Sequence, residues 1–431
     1  MTWALKAPPG GGKQGANPYF DGLSIEEQED IANKHIEMDE KFNFYRLKNT
    51  PQNTPETGWL INMHTTTIFT EGSNKRAFSA LDMYFLRENG SHFKATMKYE
   101  PYFYIAVTEG MEGVFDQWVK NKFKSEVSAV SVIEKEDLDL KNHLIGLKRT
   151  LVKIEFPNTN DLMRVRKVLM PAIKRNQDEA KTKAIYEVYK PENTNTSNKM
   201  NNDEVLEHVL DIREYDVPYH IRTAIDNSIT CGLWYDVQVR GLSTTLTHRE
   251  DLEERPDPVI MAFDIECTKQ DLKFPDADNG DMVMMISYML DNQGYLIINR
   301  DVVSADIEDF EYTPKPDYEG PFIVWNEPDE RALLQRFFDH IIEVQPTILV
   351  TFNGDFFDWP FIDKRAAYYG MNMTEQIGFG KDNADEYKSR HAIHMDAFST
   401  VGGWSVEDML LVSVYGMHAS APVLLLPHTG V

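Results

Sequence analysis

Apolar and polar positions alternate between two periods along this chain, and the clearest strand signals lie in its second half. Val259-Ile-Met-Ala-Phe263 is a continuous apolar run, the pattern of a strand covered on both faces. Met284–Met289 and Gly294–Asn299 predict two more strands, joined by the turn Asp291-Asn292-Gln293, so that the three form a meander. Pro328 then opens a predicted helix with acids in its first turn, where the helix dipole favours them. Leu333, Leu334, Phe337, Phe338, Ile341 and Ile342 share one face of that helix and predict core packing. A second buried strand is expected over Thr347–Phe352, and a helix from near Asp358 through Ala367.

Earlier in the chain the pattern is mixed. Gly58–Met63, Leu81–Leu86 and Tyr102–Val107 predict strands, and Glu112–Lys122 and Asp161–Arg175 predict helices. Residues 1–41 are expected to be a flexible tail passing into an acidic helix, since Pro8-Pro9-Gly10-Gly11-Gly12 is followed by Glu26–Asp30. A polar, low-complexity stretch near 191–202 is expected to be a disordered insertion. The expected organisation is therefore a tail (1–41), a mixed α+β N-terminal domain (42–255), an α/β domain (256–396) and a divergent tail (397–431).

Both buried strands of the α/β region end in acids. Asp264-Ile-Glu266 closes the first, and Asn353-Gly354-Asp355 with Asp358 follows the second. Carboxylate oxygens are the ligands Mg²⁺ prefers, and acids at one strand end repel each other unless a cation sits between them. Asp264, Glu266 and Asp358 are therefore candidate metal ligands, able to hold two divalent ions across a phosphodiester bond. Either acid cluster taken alone is as well explained by a solvated strand end.

Three strands, a helix, a strand and a helix is the opening of a ribonuclease-H-like fold, and here the residues carry a family resemblance. Phe263-Asp-Ile-Glu266 resembles the first exonuclease motif of the family-B DNA polymerases, and Phe352-Asn-Gly-Asp-Phe-Phe-Asp-Trp-Pro-Phe361 resembles the second. More narrowly, Leu272–Asp276, Thr313–Pro316, Tyr318–Pro321, Gly58–Met63, Pro101–Ile105, Lys135–Leu140 and Arg213–Arg222 resemble the epsilon branch of that family. The resemblance implies a 3′-to-5′ proofreading exonuclease beside an N-terminal domain, both normally attached to a polymerase. It implies that Asp264, Glu266 and Asp358 bind two Mg²⁺ (or Mn²⁺) ions, with Glu266 orienting the attacking water. It implies that Asn353, Phe357 and Pro275 line the groove for a frayed 3′ end. It also implies DNA as partner (a single-stranded 3′ end or a primer-template), the other subunits of the epsilon complex, and a nuclear role in replication and repair.

After His394-Met-Asp396 the chain departs from the family pattern. A third motif, a Tyr with an Asp four residues on, is expected there, and Trp404–Asp408 matches its spacing only by chance. The expectation is a poor or inactive exonuclease, truncated before that motif, with a catalytically dead DNA-binding fragment as the alternative. No polymerase acids follow Asp396, and two cysteines, Cys231 and Cys267, do not support the family's zinc or iron–sulfur sites. Asp396 is expected either behind the site or in a surface turn, and His220 and His394 are expected to be structural.

Composition adds bounds. With 431 residues, 42% of them hydrophobic, the chain can build two to three cores. No apolar stretch reaches the length of a membrane span. A net charge of −25 argues against sequence-blind DNA wrapping, yet leaves room for a local basic face. Candidates are the run from Arg164 to Lys183 and the pair Lys364-Arg365, expected near a phosphate.

Overall fold

The computed structural model describes residues 24–51, 54–70, 75–136, 146–186, 204–270, 272–308, 321–382 and 385–400. The expected insertion at 191–202 and the tail from 401 onward lie outside them.

The second-half elements assemble into one six-stranded mixed sheet. Its order is Ile323–Glu327, Gln293–Asn299, Val283–Leu290, Ile260–Cys267, Ile348–Thr351, Ile393–Asp396. The expected meander is present, with Asp264 opposite Ser287 and Ile286 opposite Ile297. Asp291 and Asn292 both take positive φ (46° and 70°). That is the hairpin turn whose twist suits flanking strands, and it begins the next strand already at Gln293. The first-motif strand pairs in parallel with Ile348–Thr351, which pairs in parallel with Ile393–Asp396. The strand Ile323–Glu327 was not anticipated; it ends in Asn326 and Glu327 and is only partly covered, so no apolar run announces it.

Helix Glu330–Val344 starts two residues beyond Pro328, with Asp329 as N-cap accepting the Ala332 N–H. Its Leu333, Leu334, Phe337, Phe338 and Ile341 are buried as the stripe predicts, while Ile342 packs at the margin. Phe263 of the motif strand meets Phe337 at 5.2 Å and Trp359 edge-on at 4.8 Å. Both helices thereby pack on the face of the motif strand from which Phe263 projects.

The expected N-terminal domain contains two sheets with separate cores. One is five-stranded and antiparallel, built from His92–Lys98, Ala77–Leu86, Glu56–Phe69, Trp234–Arg240 and Ser243–His248. The other has four strands, Ala129–Glu136, Lys148–Glu155, Tyr102–Val107 and Val209–Arg213, and packs against helices Glu112–Lys122 and Thr159–Tyr186. The acidic helix expected at the end of the N-terminal tail spans Ile25–Lys41 and is opened by a Ser24/Glu27 capping box. Met38, Phe42 and Phe44 at its C-terminal end join the core of the six-stranded sheet.

A buried ionic cluster ties that helix to the five-stranded sheet. Asp39 accepts from Tyr84 Oη (3.1 Å), lies 2.8 Å from His391 Nε2, and pairs with Lys94. Lys94 also reaches Asp82 (3.1 Å), and the three charged side chains are 3–4% exposed. Burial lowers the His391 pKa, favouring a neutral ring that stacks on Phe42 at 4.7 Å.

Candidate active site

Strand alternation decides where the first motif's acids point. Phe263 and Ile265 are buried, so Asp264 and Glu266 both face the other, open side of the strand end. Asp358 opens the helix Asp358–Tyr368 and is 2% exposed. Its Oδ1 accepts the Ile265 N–H (3.3 Å), which draws it across to the motif strand and against the Asp264 carboxyl.

Burial and the neighbouring Asp264 charge push Asp358 up to about 8, and the two carboxyls hydrogen-bond to each other. Two such groups in contact cannot both ionise without a cation, so one proton is retained between them. Cys267, one residue past the motif, feels the same field: burial raises its pKa first, and Asp358, Glu266, Glu330 and Asp264 raise it further. A half-buried thiol in these surroundings is an inert packing group.

Of the three acids proposed as metal ligands, the structure brings Asp264 and Asp358 into contact, with Glu266 two positions along the same strand face. Among the described residues, no group of three His, Cys, Asp or Glu side chains is close enough to hold an ion as it stands. The donor chemistry of the pair nevertheless fits a hard divalent cation, which would replace the retained proton.

The second motif is a built turn. Asn353 has φ 62°, a left-handed conformation that Asn tolerates better than most residues. A Cβ at Gly354 would collide with Thr351 Oγ1, so the turn can close on the strand end only with glycine there. Phe356 and Phe357 N–H groups donate to the Asn353 carbonyl (3.2 and 3.1 Å), delivering Phe357 half-buried beside the helix start. Its ring lies 5.8 Å from Phe361. Pro275 is half-buried in the 268–282 loop. Asp278 of that loop pairs with Lys364 at 2.6 Å, drawing the loop against the Asp358–Tyr368 helix.

Lys364 stays exposed and is matched to that carboxylate. Arg365 corrects the expectation of a pair near a phosphate, being buried with its Nε 2.9 and 3.0 Å from the two oxygens of Glu330. Glu330 also accepts from Tyr369 Oη (3.0 Å) and the Val283 N–H (2.7 Å). This buried knot fastens the helix carrying Asp358 to the sheet, a role beyond the dipole partnership that the first-turn position of Glu330 predicts. On the other candidate basic face, Arg164 bonds Asp161 (3.2 Å), Lys181 pairs with Asp178 (3.8 Å), and Arg166 lies over the Tyr215 ring.

His394 is structural, as expected. Its Nε2 is 2.8 Å from Thr351 Oγ1 and accepts from Trp359 Nε1 (3.2 Å), and its Nδ1 is 3.1 Å from the Tyr387 carbonyl. Asp396 lies behind the site, where its carboxylate takes the backbone N–H groups of Asn353 and Asp355 (2.8 and 3.1 Å).

Residues 210–403 match the model of the family B DNA polymerase exonuclease domain. The catalytic subunit of DNA polymerase epsilon from Schizosaccharomyces pombe is 49% identical over 80% of this chain, that from Debaryomyces hansenii 46% over 89%, and that from Saccharomyces cerevisiae 46% over 83%. The chain spans 16–18% of the length of these relatives. A solved family B DNA polymerase from the archaeon Pyrobaculum calidifontis superposes with a TM-score of 0.54 at 17% identity, over 84% of this chain and 40% of that one, and so shares the fold. With both exonuclease motifs seated in a ribonuclease-H-like sheet, the chain belongs to the family B DNA polymerases, carries their exonuclease domain, and is homologous to the N-terminal part of polymerase epsilon catalytic subunits.

Proposed function

We propose that Asp264, Glu266 and Asp358 form a 3′-to-5′ exonuclease site that hydrolyses the terminal phosphodiester of a single-stranded 3′ end. The observation that carries this reading is the contact between the Asp264 and Asp358 carboxyls, one on the motif strand and the other at a helix start, inside the matched exonuclease region. Two Mg²⁺ (or Mn²⁺) ions, when bound, supply a water of lowered pKa and stabilise the leaving 3′ oxygen. Asp264 and Asp358 would hold these cations. Glu266, on the open face beside them, orients the attacking water. Asn353, Phe357 and Pro275 hold the unpaired strand, with the Phe357 ring available to stack on a base. In this reading the chain acts on DNA in the nucleus, as the proofreading part of a replicative and repair polymerase with its partner subunits.

The test is removal of a 3′-terminal mismatch from a primer-template in Mg²⁺. Asp264→Ala with Glu266→Ala should lower the rate by more than about 100-fold, the upper range seen on losing an outer partner of a metal ligand. Binding of single-stranded DNA with no cleavage by the unsubstituted chain would instead favour a dead site that binds nucleic acid.

A further inference from the structure

We propose that Asp396 is a positioning residue for this site. It holds the second-motif turn so that Asp358 meets Asp264, and the proposal rests on the exonuclease reading for the chemistry it serves. Asp396 ends the edge strand, opposite Thr351 in a parallel pair, and is 4% exposed. Its Oδ1 accepts the N–H groups of Asn353 (2.8 Å) and Phe398 (2.9 Å), and its Oδ2 accepts that of Asp355 (3.1 Å). One buried side chain here satisfies three backbone N–H donors.

The turn needs such a partner because it leaves the sheet abruptly after Thr351. Its amides have no strand to pair with, and Asn353 turns the chain through a left-handed conformation. From there the chain is short and held by successive hydrogen bonds. The Asn353 carbonyl takes Phe356 and Phe357, the Gly354 carbonyl takes the Trp359 N–H (3.0 Å), and Asp358 takes the Ile265 N–H. Asp355, the second motif's other acid, is spent on the same framework, since its Oδ1 accepts the Tyr387 N–H (2.8 Å). Both oxygens of Asp396 are engaged, so an Asn there would turn an amide N–H₂ group onto one of the donors it must satisfy.

The test compares the full chain with Asp396→Asn, Asp396→Ala and a control, Tyr288→Phe. The control deletes a buried hydrogen bond to His340 (2.7 Å) in the same sheet, away from the turn. Amide hydrogen exchange over 352–358, Mn²⁺ affinity by electron paramagnetic resonance, and kcat and KM on a single-stranded oligonucleotide are read for each. Both Asp396 variants should exchange the Asn353 and Asp355 amides at least tenfold faster. They should bind Mn²⁺ about 10–100-fold more weakly and lose kcat in proportion, with KM nearly unchanged. Tyr288→Phe should lower the melting temperature and move none of these. Wild-type exchange and Mn²⁺ affinity in folded Asp396→Asn would overturn the proposal, as would equal losses in Tyr288→Phe. Should Mn²⁺ binding be insensitive to Asp264→Ala with Glu266→Ala, the exonuclease reading fails instead, and exchange alone still decides whether Asp396 holds the turn.

Discussion

Replacing Asp358 with Asn should stabilise the metal-free protein at pH 8 relative to the unsubstituted chain. Burial and the Asp264 charge hold the Asp358 carboxyl at about 8, against about 3.9 for an Asp in an unfolded chain. Between those values the folded state binds the extra proton. Stability from this group is therefore complete below about pH 4 and is lost as pH rises through about 8. At about 1.4 kcal/mol per pKa unit, the loss between pH 5 and pH 8 is on the order of 3 kcal/mol. Asn is neutral throughout. Its Oδ1 can keep the Ile265 N–H, and its amide can donate to Asp264 as the protonated acid does. The assay is thermal unfolding in EDTA at both pH values, repeated with Mg²⁺. At roughly 2–4 °C per kcal/mol for a domain of 150–250 residues, the difference should be several degrees. Mg²⁺ should restore the unsubstituted chain at pH 8 and do little for Asp358→Asn. A wild-type melting temperature that falls no further than the variant's between pH 5 and pH 8 would refute a retained proton at this pair.

Other consequences are checked by unfolding in urea. Lys94→Met leaves Asp39 and Asp82 buried with one cation fewer and should cost about 3–5 kcal/mol. Burial would raise the Asp39 carboxyl, but hydrogen bonds from His391 and Lys94 hold it below the ordinary range; its contribution is present at neutral pH and lost as pH falls through that lowered value, which an acid titration of wild type against Asp39→Asn should show. Arg365→Leu strands Glu330 in the core and should cost a similar amount, of which Glu330→Gln in the same chain should recover part. Gly354→Ala forces a Cβ into Thr351 and should destabilise by about 1–3 kcal/mol, with cleavage falling further than stability because Asp358 follows the turn.

The parts of this architecture that could be read in advance are those announced by uninterrupted apolar residues. Val259–Phe263 and Thr347–Phe352 predict the two central strands because both faces of a central strand are covered, though the second stops at Thr351, where the turn begins. Ser243–His248 gives no such signal for the opposite reason: it is an edge strand of Ser, Thr and His around a single Leu, with mostly exposed side chains. The site shows the same division. Local motifs point to Asp264 and Asp358, but their contact, and the proton it retains, depends on the Ile265 N–H reaching across 93 positions. Glu330 lies in a helix first turn where any acid is expected, and only its pairing with Arg365, 35 positions on, marks it as buried. Asp396 could be placed at a strand end from the sequence, but not the three amides that turn toward it.

The bond between Asp39 and His391 links positions 352 residues apart. During synthesis, the helix bearing Asp39 emerges first and must wait for its last partner. At roughly 5–20 residues per second, that interval is about 20–70 s. Throughout it Asp39, Lys94 and Asp82 lack the lid that His391 and Phe42 form by stacking, and Met38, Phe42 and Phe44 lack most of the core they finally join. The nascent chain thus carries an apolar helix end in search of a sheet not yet made. A chaperone that recognises short apolar segments has its longest opportunity there, and slowing translation after residue 41 should lengthen the exposure without altering the final fold.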